Sequence, residues 1–218
     1  MNEIEIAKLS QISRRKIYEA GDTIISDSEP VDFFATIISG TVMLSKTLAD
    51  GRHQIVGLQF APDFVGRAYS RNNTYTAEAA TGVELCMFPK PAFERLTEEF
   101  PGLQHRLFEF TLDELDAARE WMLLLGRKTA AEKVASFLLM MARRNLMLGC
   151  SHTPQVDMAH FELPLTRAGI ADFLGLTIET VSRQLTSLKT SNVIRLGADR
   201  LVMVPDITRL ASIAGQDL

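Results

Sequence analysis

The stretch LTRAGIADFLGLTIETVSRQL, Leu165 to Leu185, decides how this chain is read. It predicts two short helices joined by a tight turn. Ile170, Ala171 and Leu174 give the first helix an apolar inner face. Gly175 falls where the chain must reverse, and glycine accepts the left-handed backbone such a turn needs. Thr177 is placed to cap the second helix, and Glu179 in its first turn suits the positive end of the helix dipole. Val181, Leu185 and Leu188 share one face of that helix. Glu179, Ser182, Arg183 and Thr186 line the opposite face at spacing i, i+3, i+4, i+7. These side chains match base edges in a major groove. Arginine grips guanine O6 and N7, glutamate accepts from cytosine N4, and serine or threonine bonds to several bases. An ordinary helical hairpin with a solvated polar face has the same spacing, so the flanking segments decide.

Val193–Leu196 and Arg200–Val204 read as two short strands around a Gly197-Ala198-Asp199 turn. A helix pair followed by a small hairpin is a winged helix-turn-helix. Arg195 and Arg200 flank the wing within reach of phosphates. Arg167, at the start of the first helix, is a third phosphate candidate, with Thr177 and Thr186 as secondary contacts. Pro205 ends the second strand, and Asp206 is placed to cap a last short helix reaching about Ala214.

The first hundred residues alternate short apolar runs with turn signals. Strands are expected at Thr23–Ile25, Phe33–Ile38, Thr41–Ser45, His53–Phe60, Asp63–Gly66 and Glu84–Phe88, then a helix from Pro89 to about Phe100. That spacing predicts a small barrel or roll. From Pro101 to about Gly126 nothing breaks a helical pattern, which carries two apolar stripes. Phe108, Thr111, Leu115, Ala118, Met122 and Leu125 form a charge-free stripe with the spacing of a parallel coiled-coil seam. Leu107, Phe110, Glu114, Ala117, Trp121 and Leu124 form the other. One stripe is expected to face a second copy and the other the chain's own roll; a single helix buried in one core is the alternative. A further helix is expected from Thr129 to about Leu146.

The helix opening Thr177-Ile178-Glu179-Thr180-Val181-Ser182-Arg183 resembles the recognition helix of the CRP/FNR superfamily of bacterial transcription regulators. Trp121–Lys133 resembles the join between dimer helix and DNA-binding domain in the FNR branch, and Gly21, Gly40 and Gly66 stand at the family's expected turns. The resemblance covers nearly the whole chain. It implies an α+β fold: a sensor-like β-roll similar to cyclic-nucleotide-binding domains (residues 1–100), a dimerisation helix (101–126) and a winged helix-turn-helix (127–218). It implies a cytoplasmic homodimer acting on double-stranded DNA with RNA polymerase, expected as an activator and not as an enzyme. Glu179, Ser182 and Arg183 stand where FNR- and FixK-type members read TTGAT half-sites, so a TTGAT-N4-ATCAA inverted repeat is the implied target. Ala118 falls where FNR places an acid in the seam. An uncharged residue there removes a repulsion, so dimerisation is expected to depend less on an effector.

Nucleotide-binding members of the superfamily share a segment like Gly-Glu-Leu and a later Arg-Ser pair. The corresponding residues here are Gly66-Arg67-Ala68 and Asn73-Thr74. An anion would lose its main charge-assisted contact, so cyclic nucleotide is not expected as a cofactor. Cys86 stands where FNR's roll cysteine ligates an iron–sulfur cluster. No cysteine precedes it, and a cubane needs four ligands, so the cysteines present hold no cluster. Cys86 reads as a small core residue on a strand, with a thiol redox switch as the alternative; Cys150 reads as a surface-loop residue. His53, His105, His152 and His160 form no recognisable metal site, and the last two fall in a loop-like stretch. Two competing readings remain. One is a sensor of the same superfamily whose DNA binding needs haem, nitric oxide or a small organic effector. The other, a metal-binding β-barrel enzyme, needs clustered ligands where only His53 stands.

A chain of 218 residues with 46% hydrophobic content can bury a core. No apolar run approaches a membrane span, no secretion leader is visible, and two cysteines make no disulfide framework. A reduced, cytosolic location is the economical expectation. The net charge of −4 hides an asymmetry: residues 1–126 carry 12 Lys/Arg against 19 Asp/Glu (−7), and residues 127–218 carry 11 against 8 (+3). The basic excess lies with the proposed reader, and the acidic half limits non-specific adhesion to phosphate.

Overall fold

Period-two alternation in the N-terminal part becomes two four-stranded antiparallel sheets in the computed structural model, which describes residues 3–70, 72–148 and 158–216. One sheet has the order β1 (Arg14–Tyr18), β8 (Val83–Pro89), β3 (Phe33–Ser39), β6 (Phe64–Val65). The other has the order β2 (Thr23–Ile25), β7 (Thr76–Ala79), β4 (Thr41–Thr47), β5 (His53–Phe60). Ile25, Ala35, Ile37, Val42, Val65, Ala77 and Leu85 form the centre of this roll. Gly40, between β3 and β4, has φ +89°, and a Cβ there would lie 2.1 Å from the Gly82 carbonyl oxygen. Only glycine lets these two turns meet.

Three elements of this N-terminal part escaped the sequence reading: helix α1 (Glu3–Ile12), β1 and β7. Strand β1 is an edge strand that pairs only with β8. It carries Arg14, Arg15 and Lys16 in a row, a composition that protects an open edge but hides alternation. Strand β7 turns only the small Ala77 and Ala79 inward, and alanine is a weak strand signal. Helix α2 (Lys90–Glu99) contributes Phe93 to an aromatic cluster with Phe34 and Phe88, at ring distances of 4.4 and 5.7 Å, against which Leu9 and Ile12 of α1 pack.

The unbroken helical pattern is one helix, α3 (Pro101–Arg127), of 27 residues. Its charge-free stripe is open: Phe108, Leu115 and Met122 are 60%, 43% and 67% exposed. Thr111 and Ala118 are exposed and Leu125 half-buried. The other stripe does not face the roll throughout. Leu107 joins the aromatic cluster and Phe110 meets Phe64 edge-on at 4.9 Å, but Trp121 stacks on Phe173 at 3.9 Å. The chain divides into two compact units, residues 1–119 and 120–218, within this helix.

In the second unit, α4 (Ala130–Leu148) opens on a reciprocal cap. The Thr129 N–H and hydroxyl donate to the Glu132 carboxylate at 2.7 and 2.8 Å, and the Glu132 N–H donates back to the Thr129 oxygen at 3.3 Å. Its buried Val134, Phe137 and Leu138 face the rest of this unit. There follow β9 (Ala159–Glu162), α5 (Arg167–Leu174), α6 (Ile178–Thr190), β10 (Arg195–Leu196), β11 (Leu201–Val204) and α7 (Ile207–Ile213). The wing is therefore three-stranded, in the order β10-β11-β9. His160 lies on β9 and not in a loop, because Ala159 and Phe161 turn into the core on either side of it. Arg200 belongs to the wing's turn, not its strand, since Asp199 and Arg200 both have positive φ and pairing resumes at Leu201. Cys150 and His152 lie outside the described residues.

Candidate DNA interface

The hairpin is held by Gly175 and Thr177, as its sequence announces, and by a further cap at Thr166. Thr166 Oγ1 accepts the Gly169 N–H at 3.1 Å and caps α5. Gly175 takes φ 61° and ψ 46°, and its N–H returns to the Ala171 carbonyl. Thr177 Oγ1 accepts the Thr180 N–H at 3.2 Å and caps α6. Val181, Leu185 and Leu188 point into the core. Two cations close the far ends: Lys133 Nζ donates to the Leu174 carbonyl at 3.3 Å, and Arg209 Nη2 to the Ser191 carbonyl at 2.9 Å. Both meet the negative end of a helix dipole.

On the outer face of α6, Glu179, Arg183 and Thr186 are exposed and Ser182 is half-buried. Arg183 makes no hydrogen bond or ion pair among the described residues, so its whole fork of donors is available. The Glu179 carboxylate is held below its ordinary range, first by its own backbone N–H and then by the Thr177 hydroxyl. It is an anion that only accepts. Ser182 Oγ accepts from Arg167 Nη1 at 3.4 Å. The Thr186 hydroxyl donates to the Ser182 carbonyl at 2.8 Å. The sequence reading missed Ile178, which is 48% exposed one turn before Ser182 on this face. Its signal was an apolar residue at the first helical position that does not belong to the inward stripe; such a group can meet a thymine methyl.

Arg167 and Arg200 line the same cleft of about 340 Å³, between the start of α5, α6 and the wing. Arg200 also faces Glu162 at 3.4 Å. Arg195 stands exposed on β10, with a long contact to Met203 Sδ at 4.0 Å, and does not line the cleft. Other cations of this unit are internal fasteners. Lys128 Nζ donates to Ser136 Oγ at 2.8 Å and to the Ala214 carbonyl at 2.6 Å, and Arg143 donates to Gln216 at 2.8 Å.

The roll residues do not fit a cyclic nucleotide. Asn73 is 3% exposed, and among the described residues its buried amide has no hydrogen-bond partner. A neutral amide cannot replace a guanidinium against a phosphate. Among the described residues no group of three or more His, Cys, Asp or Glu is placed to hold a metal ion. Cys86 is half-buried on β8, packed against the aromatic cluster. No described helix is long and apolar enough to cross a membrane.

Residues 15–100 match the cyclic nucleotide-binding domain and residues 132–213 the Crp-like helix-turn-helix domain. The chain is 48% identical over 215 residues to the transcriptional activator protein FnrL of Cereibacter sphaeroides, spanning 98% of this chain and 85% of that protein. It is 40% identical over 197 residues to the nitrogen fixation regulation protein FixK of Bradyrhizobium diazoefficiens, spanning 90% and 80%. The solved structure of FixK2 from Bradyrhizobium japonicum is similar with a TM-score of 0.82 at 30% identity, over 95% of this chain and 100% of that one. A β-roll, a long helix and a helix-turn-helix follow one another in this chain, and both domain matches and these relatives agree with that order: the chain belongs to the CRP/FNR family, in its FixK-like branch, and is a DNA-binding transcription regulator.

Proposed function

We propose that this regulator is a homodimer joined along α3, that it binds a TTGAT-N4-ATCAA inverted repeat in the cytoplasm, and that it activates transcription through RNA polymerase. The observation that carries the reading is the outer face of α6, where Glu179, Ser182 and Arg183 stand together and Arg183 is unspent. A TTGAT half-site holds one G·C pair, so both charged residues converge on it. Arg183 grips guanine O6 and N7, and ionised Glu179 accepts from N4 of the paired cytosine. Ser182 and Ile178 meet the A·T pairs beside it. Arg167, Arg195 and Arg200 contact phosphates, which set register and salt dependence without choosing sequence. The open stripe of Phe108, Leu115 and Met122, completed by Thr111, Ala118 and Leu125, is apolar surface that a second copy removes from water. A twofold dimer presents two copies of α6 to successive major grooves about 34 Å apart, as an inverted repeat requires.

A binding titration against point-substituted sites tests this. Arg183→Ala is expected to cost about 1–3 kcal/mol per half-site and to flatten preference at the G·C pair. Glu179→Ala is expected to relax preference at the same pair. Equal weakening by Arg183→Ala on every sequence would make Arg183 a phosphate contact and end the reading.

A further inference from the structure

We propose that Arg167 is a positioning residue that fixes the hydrogen-bond polarity of Ser182, making it a donor toward DNA. The proposal rests on the assignment of Ser182 as a base reader above. A serine hydroxyl has one proton and two lone pairs, and left alone it rotates to donate or accept as its neighbour requires. Ser182 is not left alone. Arg167 Nη1 donates to its oxygen at 3.4 Å, from the start of α5 across to α6. A guanidinium can only donate, so it takes a lone pair and orients the O–H away from itself.

The helix does not claim that proton. Thr186 and Thr190 donate back to the Ser182 and Thr186 carbonyls, both at 2.8 Å, but Ser182 makes no such bond to the turn before it. Among the described residues its O–H has no acceptor. The two hydroxyls one turn apart on the reading face therefore differ. Thr186 has spent its proton and offers lone pairs and a methyl group, whereas Ser182 has spent a lone pair and offers a proton. In the major groove the Ser182 proton then matches adenine N7 or thymine O4, and only one lone pair remains for an amino group of adenine or cytosine. The remaining N–H groups of Arg167 stay free for a phosphate, so one side chain couples backbone contact to base choice.

The experiment measures binding of the wild type, Arg167→Ala, Ser182→Ala, the double variant and Thr186→Val to sites altered in one half-site only. At each A·T pair, 7-deazaadenine removes N7 and 5-methyl-2-pyrimidinone removes O4 of thymine. Wild-type binding should fall about 2- to 12-fold at one of these atoms, the range of a single neutral hydrogen bond. Ser182→Ala should lose that sensitivity, Arg167→Ala should lower it because the freed hydroxyl is no longer turned toward the base, and the double variant should lose nothing more than Ser182→Ala. Thr186→Val should leave the discrimination as it is. If Arg167→Ala keeps full sensitivity and binds every site equally less well, Arg167 is a phosphate contact only and the proposal fails, while Ser182→Ala still marks Ser182 as a reader. If Ser182→Ala itself keeps wild-type sensitivity at every analogue, the assignment of Ser182 falls, and the proposal with it. A shift in discrimination with Thr186→Val would refute the opposed polarities.

Discussion

The turn on which the reading helix hangs can be tested through Gly175. Its φ of 61° and ψ of 46° place it in the left-handed region. A Cβ built there would find nothing nearer than Leu125 Cδ2 at 4.0 Å, so alanine would not clash. The cost is then conformational only, about 1–2 kcal/mol for an L-residue in this region. The stiffer unfolded chain offsets only part of it, leaving a net loss on the order of 1 kcal/mol. Asparagine tolerates this backbone and should cost less than alanine. Trp121, the one tryptophan, stacks on Phe173 in the same compact unit and reports that unit's unfolding. In urea titrations followed by its fluorescence, the midpoints should fall in the order wild type, Gly175→Asn, Gly175→Ala. Preference among DNA sequences should not change, because no reading group moves. An alanine variant as stable as the wild type, or an asparagine variant weaker than the alanine one, would show that left-handed backbone is not what glycine supplies here.

Wild-type protein should sediment as a dimer at micromolar concentration in air. Ala118→Asp should shift it toward monomer by placing two carboxylates face to face in the seam, and a monomeric wild type would refute the seam. Phe137 is 1% exposed and meets the Phe173 ring edge-on at 5.7 Å, so Phe137→Ala should cost about 3–5 kcal/mol, read from the same Trp121 transition. Glu132, held down first by the Thr129 N–H, and Asp206, held down first by the Thr208 hydroxyl, both keep carboxyl pKa values below their ordinary ones. As pH falls the unfolded chain takes up these protons first. The stability they contribute is therefore full above the ordinary carboxylate range and is lost as pH passes through the lowered values. Glu132→Gln and Asp206→Asn should flatten the acid limb of a plot of urea midpoint against pH; an unchanged limb would remove these caps from the account.

The hairpin was legible because its instructions are local. Gly175, Thr177 and, in the helix beyond the wing, Asp206 act on backbone within three or four residues of themselves, and their caps and turn stand where the letters indicate. Strands β1, β7 and β9 were not legible, because their own residues (RRKIY, TAEA and AHFE) carry little apolar alternation and each is fixed by a partner far along the chain: β8, β2 and β4, and β11 respectively. The two stripes of α3 were visible from spacing, but spacing could not tell which neighbour each residue meets. Phe110 goes to Phe64, and Trp121 goes to Phe173. The Arg167–Ser182 bond, fifteen residues apart, is likewise a product of tertiary placement.

That last bond bears on how a reading face should be inferred. A polar helix face lists candidates, but the fold takes its own hydrogen bonds from them before DNA arrives. On α6 the Thr177 oxygen caps the helix, and its proton is shared between Thr180 Oγ1 and the Glu179 carboxylate. The Thr186 and Thr190 hydroxyls are returned to carbonyls of the preceding turn. What remains is the Arg183 fork, the Ser182 proton and the accepting charge of Glu179. Donors at Arg183 and Ser182 demand acceptors, and an anion at Glu179 demands an amino group. Reversing the G·C pair would set the arginine against the cytosine amino group and the carboxylate against guanine O6 and N7. Donor would face donor and acceptor would face acceptor across the contact. Each group so left unpaired costs about 1–3 kcal/mol. On the proposed reading, sequence preference therefore arises less from the bonds made to the right base than from the polarity the fold has already imposed on the groups that would face the wrong one.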